Sequence, residues 1–123
     1  MKIILAVGLG SFIGGICRYL VTLFIQNKFL TTFPFGTMFV NVLGCFLIGV
    51  IYALSDRGNL SPLWRMFLAT GMMGGFTTFS TFSNETVSML RDAEYVPAFS
   101  YIAFSIIIGL AATIGGISLI KYL

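Results

Sequence analysis

Gly74-Gly75-Phe76-Thr77-Thr78-Phe79-Ser80-Thr81-Phe82-Ser83 is the stretch on which the reading of this chain turns. It lies inside an apolar segment of roughly 63–90, long enough to cross a bilayer with residues to spare. Two adjacent glycines and five hydroxyl residues within these ten positions oppose a continuous helix. Lipid offers no partner to unsatisfied backbone groups. A helix broken at membrane depth is tolerated only where it lines a cavity or is buried in protein. The interruption is therefore expected over Gly74–Ser83, with freed carbonyls able to coordinate a cation and hydroxyls and exposed N–H groups able to donate to an anion.

Working outward, three more apolar segments flank this one, at roughly 3–25, 35–54 and 97–120. The first spans about 34 Å as a helix, enough for the hydrocarbon core. It begins like a signal peptide, Met1-Lys2 followed by Ile3–Gly8, but its apolar run is longer than an h-region and reads as a retained membrane span. Polar turns divide the segments: 26–34, then 55–62 with Asp56, Arg57 and Gly58, then 91–96 with Arg91, Asp92 and Glu94. Pro97 suits a first helical turn. The expected fold is an all-α membrane protein of four transmembrane helices, the third broken mid-membrane, forming one domain over 1–123.

Composition agrees. The chain is 58% hydrophobic and 9% charged, whereas soluble domains carry about 25% charged residues. Lipid must cover what polar side chains cannot. The net charge of +3 is scattered singly, which gives no footprint for nucleic acid. Cys17 and Cys45 sit in apolar runs, without metal spacing or a disulfide framework. Histidine is absent, and with it the commonest general base and metal ligand. With no paired-acid site and no nucleophile beside a base, the sequence does not read as an enzyme.

Small residues four apart, Gly10 with Gly14 and Gly71 with Gly75, suit close helix packing in lipid. Four short helices enclose little space, so an oligomer is expected. Both termini and the second loop share one side, carrying Lys2, Arg57, Arg65 and Lys121. The other side carries Lys28 and Arg91, with Arg18 about two turns inside it. That is a weak bias under the positive-inside rule. It leaves open a fixed topology or insertion both ways, the latter permitting an antiparallel dimer.

Within the decisive stretch, Phe76, Phe79 and Phe82 recur every third residue. An aromatic stripe at helical spacing usually faces lipid or packs. Here it interleaves with Thr and Ser. Aromatic edges are electropositive, so ring edges beside hydroxyl donors form a weakly attractive lining for a small anion. Conduction needs that balance between entry and exit. Asn41 lies mid-span and could donate to an anion or to another helix. Arg18 is an intramembrane charge, either an anchor that snorkels or an attractor of anions. Glu85 could cap the second half of span three, pair with Arg18 or face an aqueous vestibule.

The run Gly74–Ser83 with Asn84-Glu85 resembles the signature of the Fluc (CrcB) fluoride channels. Phe35-Gly36-Thr37-Met38-Phe39-Val40-Asn41 is similar to that family's span-two motif, and Gly14-Gly15-Ile16-Cys17-Arg18 to its span-one motif. The resemblance covers all four spans. It implies an antiparallel dual-topology homodimer with two pores in the cell membrane, either an inner or a plasma membrane. It implies passive, selective fluoride export and a structural, untransported sodium ion at the dimer centre, held by the main-chain carbonyls of Gly74 and Thr77. By the same resemblance Phe79 and Phe82 are the pore phenylalanines, Asn41 the polar residue near them, and Ser80 and Thr81 the hydroxyl track. Tyr101 and Ser105 match further polar positions, Arg18 a vestibule arginine and Glu85 an acidic position. Gly109 stands where some relatives carry a hydroxyl.

Two other readings compete. A small multidrug antiporter also has four short spans, but it wants a deep acid, commonly in span one, where this chain carries Arg18. A non-transporting membrane subunit would use the small-residue faces and leave the polar centre of span three without purpose.

Overall fold

The computed structural model covers residues 1–123 and is helical throughout its regular structure, with no strands. Helix α1 is Lys2–Lys28 and α2 is Phe35–Asp56. The third segment comes in pieces: α3 (Pro62–Arg65), a π-helical stretch (Met66–Met73), α4 (Gly74–Phe76) and, after a break, α5 (Phe79–Arg91). Helix α6 is Tyr95–Tyr122. Three of these, α1, α2 and α6, are long and apolar enough to cross a membrane.

Local chemistry sets the ends. Ser61 caps α3 by accepting from the Trp64 amide, and Pro62 occupies the first turn, where no amide partner is needed. Gly58 and Ala93 take positive φ angles of 75° and 60° in the loops after α2 and α5. Most large apolar side chains of α1 and α6 point outward, Phe12, Phe24, Phe99 and Ile107 among them. A surface of this kind has lipid or another protein as its natural solvent.

The break is narrower than the sequence suggests. Gly74–Phe76 is helical, and so is Phe79–Ser83. Only Thr77 and Thr78 leave the helix, with φ/ψ of −87°/158° and −149°/117°. The glycine pair is therefore not the breaker. Gly75 serves close packing instead: a Cβ there would collide with the Ser11 carbonyl of α1. On the facing helix a Cβ at Gly14 would collide with the Met72 carbonyl. The small-residue pairs thus bring α1 against the π-helical stretch and α4, backbone to backbone. The π-helix at Met66–Met73 was not foreseen, because apolar periodicity over eight residues does not separate it from an α-helix.

Candidate ion site at the helix break

The break is held open from two sides. From α2, Asn41 exchanges two hydrogen bonds with the peptide of Thr78: the Thr78 amide donates to Asn41 Oδ1 at 2.7 Å, and Asn41 Nδ2 donates to the Thr78 carbonyl at 3.0 Å. Gly44, one turn further along α2, makes the approach possible, since a Cβ there would overlap the Thr77 methyl. From α1, Arg18 Nη1 donates to the Thr77 carbonyl at 3.4 Å. The half-buried guanidinium thus reaches inward to the break instead of snorkelling outward.

The Thr78 hydroxyl organises the start of α5. It accepts from the Thr81 amide at 3.2 Å as an N-cap, donates to Thr81 Oγ1 at 3.0 Å and lies 3.3 Å from Ser80 Oγ. Ser80 and Thr81 are exposed on the protomer, so this hydroxyl cluster opens outward. Sequence reasoning passed over Thr78, although an N-cap threonine beginning a helix is a readable signal.

A cavity of about 420 Å³ lies against the break. Of the residues expected at the site, it brings together Asn41, Gly74, Thr77, Phe79, Phe82 and Ser105, and Thr78 joins them. Ser105 Oγ is buried without a hydrogen-bond partner. Phe79 is 78% exposed, and its ring stands 5.7 Å from that of Phe82. Phe82 in turn lies 5.0 Å from Tyr101, which meets Phe33 edge-on at 5.6 Å. Ser80, Thr81, Arg18, Glu85 and Tyr101 do not line this cavity.

Glu85 belongs to a second, polar cavity of about 340 Å³, which it lines with Thr37, Asn84, Ser88 and Asp92. Its carboxylate accepts from Thr37 Oγ1 and from the Tyr101 hydroxyl, each at 2.8 Å. Of the roles open to Glu85, capping α5 falls to Thr78 instead, and Arg18 bonds the Thr77 carbonyl and not Glu85. Thr37, 2% exposed, stood in the span-two motif without an assigned role, because a threonine in an apolar run has no periodic signal. The Phe82–Tyr101 pair connects the two cavities: Phe82 lines the first, and the Tyr101 hydroxyl reaches the carboxylate of the second.

Chemically, the break presents two kinds of group. The carbonyls of Gly74 and Thr77 are neutral, hard oxygen donors, suited to a hard cation. The hydroxyls of Ser80, Thr81 and Ser105 are donors an anion could use. The side chains hold no cluster of three His, Cys, Asp or Glu for a transition metal.

Comparison with known proteins is consistent across the chain. The family model described as CrcB-like protein, Camphor Resistance (CrcB), matches residues 5–117. A fluoride-specific ion channel FluC of Flavobacterium psychrophilum is 43% identical over 124 residues, covering 100% of both chains. The FluC of Phocaeicola vulgatus is 44% identical over 117 residues, covering 95% of this chain and 97% of its own. That of Leptospira interrogans (strain Fiocruz L1-130) is 45% identical over 121 residues, covering 98% and 95%. With the match running from the first apolar helix to the last and including the break itself, the chain belongs to the CrcB family.

Proposed function

We propose that this protein is a fluoride-selective channel that lets fluoride leave the cell passively. The observation that carries the reading is the cavity at the break, which Ser105, its hydroxyl buried and unpartnered, lines together with Asn41, Thr78, Phe79 and Phe82. Fluoride is strongly hydrated, and burying an ion without replacement ligands is costly. Hydroxyl and amide donors replace water. Ring edges of Phe79 and Phe82 attract weakly and so do not trap the ion. The names of the relatives, each a fluoride-specific ion channel, supply the selectivity that donor chemistry alone does not.

The working unit in this reading is an antiparallel dual-topology homodimer of four-span chains, with 62–91 as the broken third span. Two features support it. Phe79, a pore candidate, is 78% exposed on the single protomer, and Ser80 and Thr81 beside it are exposed too, so a second copy is needed to enclose them. The basic residues are also nearly balanced between the two sides. A structural sodium ion at the dimer centre fits the chain's own donors. In an uninterrupted helix the Thr78 amide would return to the Gly74 carbonyl, but here it goes to Asn41, and the Thr77 carbonyl takes only a long bond from Arg18. Gly74 and Thr77 of each copy would hold the ion, which supplies positive charge between two sets of carbonyls.

The test is direct. Purified protein in fluoride-loaded liposomes, with the potential clamped by a potassium ionophore, is expected to release fluoride rapidly and retain chloride. Efflux no faster than from protein-free liposomes refutes the channel.

A further inference from the structure

We infer that Asn41 is a positioning residue for the cation site: by capturing the Thr78 amide it keeps the Gly74 carbonyl free of the helical hydrogen bond that would consume it. The inference rests on the cation reading proposed above and adds the device that maintains it.

The argument begins with the peptide at 77–78. In a continuous α-helix each amide returns to the carbonyl four residues earlier, so Thr78 would donate to Gly74. The preceding amide does follow that rule, Thr77 donating to Met73 at 2.9 Å. The pattern stops at Thr78, whose amide turns to Asn41 Oδ1 at 2.7 Å. In lipid an amide does not go unpaired, so an acceptor must be found. Two lie within reach: the Gly74 carbonyl, by closing one more helical turn, or the Asn41 side chain. Thr78 has no helix-forbidding chemistry of its own, since threonine is only a mildly unfavourable helix residue. The partner from α2 thus takes the amide that would continue the helix, while the Thr78 hydroxyl caps the restart at Thr81.

Asn41 is suited to that task because a primary amide carries the same acceptor and donor pair as a peptide. Its Nδ2 donates to the Thr78 carbonyl at 3.0 Å while its Oδ1 accepts, so both polar groups of residue 78 are satisfied by one side chain. Gly44 gives α2 the proximity this needs. With one Asn41 N–H and its Oδ1 committed to Thr78, the residue acts first on the backbone, and any anion meets only what remains.

The measurement is sodium-dependent thermal stability of the purified dimer, comparing sodium with N-methylglucamine as the sole cation. Wild-type protein is expected to unfold at higher temperature in sodium. Asn41→Asp keeps the acceptor, and in its neutral form the donor as well, and is expected to retain most of that shift. Asn41→Leu, similar in volume but without either group, is expected to lose it while keeping its helical content. Asn41→Ser, too short to reach Thr78, is the substitute if the leucine variant does not fold, with the same expected loss. In the wild type the Thr78 amide is expected among the slow-exchanging amides, and rapid exchange there overturns the inference without any variant. A full sodium shift in Asn41→Leu or Asn41→Ser overturns it too, leaving the cation reading intact. No sodium shift in the wild type refutes the cation reading and this inference together, and the fluoride efflux assay stands apart from both.

Discussion

Tyr101, completely buried on α6, donates its hydroxyl to Glu85 Oε2 at 2.8 Å, so the ring that packs on Phe82 also tethers the one acid inside the third segment. Tyr101→Phe keeps the ring and deletes the donor. A charged acceptor that loses a buried partner costs about 2 kcal/mol. The unfolding midpoint in detergent is expected to fall, with Glu85 left to Thr37 alone. An unchanged midpoint would mean the bond contributes nothing.

Ser105 separates stability from conduction. Its hydroxyl has no partner in the protomer, so Ser105→Ala removes no protein hydrogen bond. Stability should stay within about 0.5 kcal/mol of wild type, while fluoride efflux from liposomes slows several-fold. Wild-type efflux would place the ion path away from this wall of the cavity.

Phe82 stands between the two cavities, against Phe79 on one side and Tyr101 on the other. Phe82→Ile removes the electropositive ring edge but keeps an apolar filler. Efflux should slow by about tenfold, equivalent to roughly 1.4 kcal/mol on the barrier, with the dimer still assembled by size-exclusion chromatography. Equal rates would show that the ring is packing only.

Cation binding through carbonyls makes an unusual mutational prediction. The Thr77 hydroxyl bonds back to the Met73 carbonyl of its own helix and leaves the Thr77 carbonyl untouched. Thr77→Val should therefore keep the sodium dependence of thermal stability. Its loss in this variant would move the cation from backbone to side-chain ligands.

Gly75 meets α1 backbone to backbone. Gly75→Ala forces Ser11 away and is expected to cost about 1–3 kcal/mol, read as a lower unfolding midpoint. A neutral outcome would show that α1 slides freely along the break.

Much of this protein was legible in its residues taken in order. Apolar length places the helices, because a bilayer requires it of any spanning segment. The hydroxyl-rich run around Thr77 announces a break, since lipid permits such chemistry only where something faces it. The family was readable there as well, in the run that ends at Glu85, and comparison with known proteins agrees.

What tertiary structure alone decided is which peptide breaks and why. Ten residues could have hosted the interruption, and two do, because Asn41, 37 positions away along the chain, takes the Thr78 amide. Gly75, which looked like a breaker, proved to be a contact point, a property of the facing helix that no local pattern encodes. Arg18 and Glu85, a plausible ion pair by charge, went to separate partners, a carbonyl for one and two hydroxyls for the other. Charge and propensity are written residue by residue. Hydrogen-bond partnership depends on which donors and acceptors meet across helices, and packing sets that.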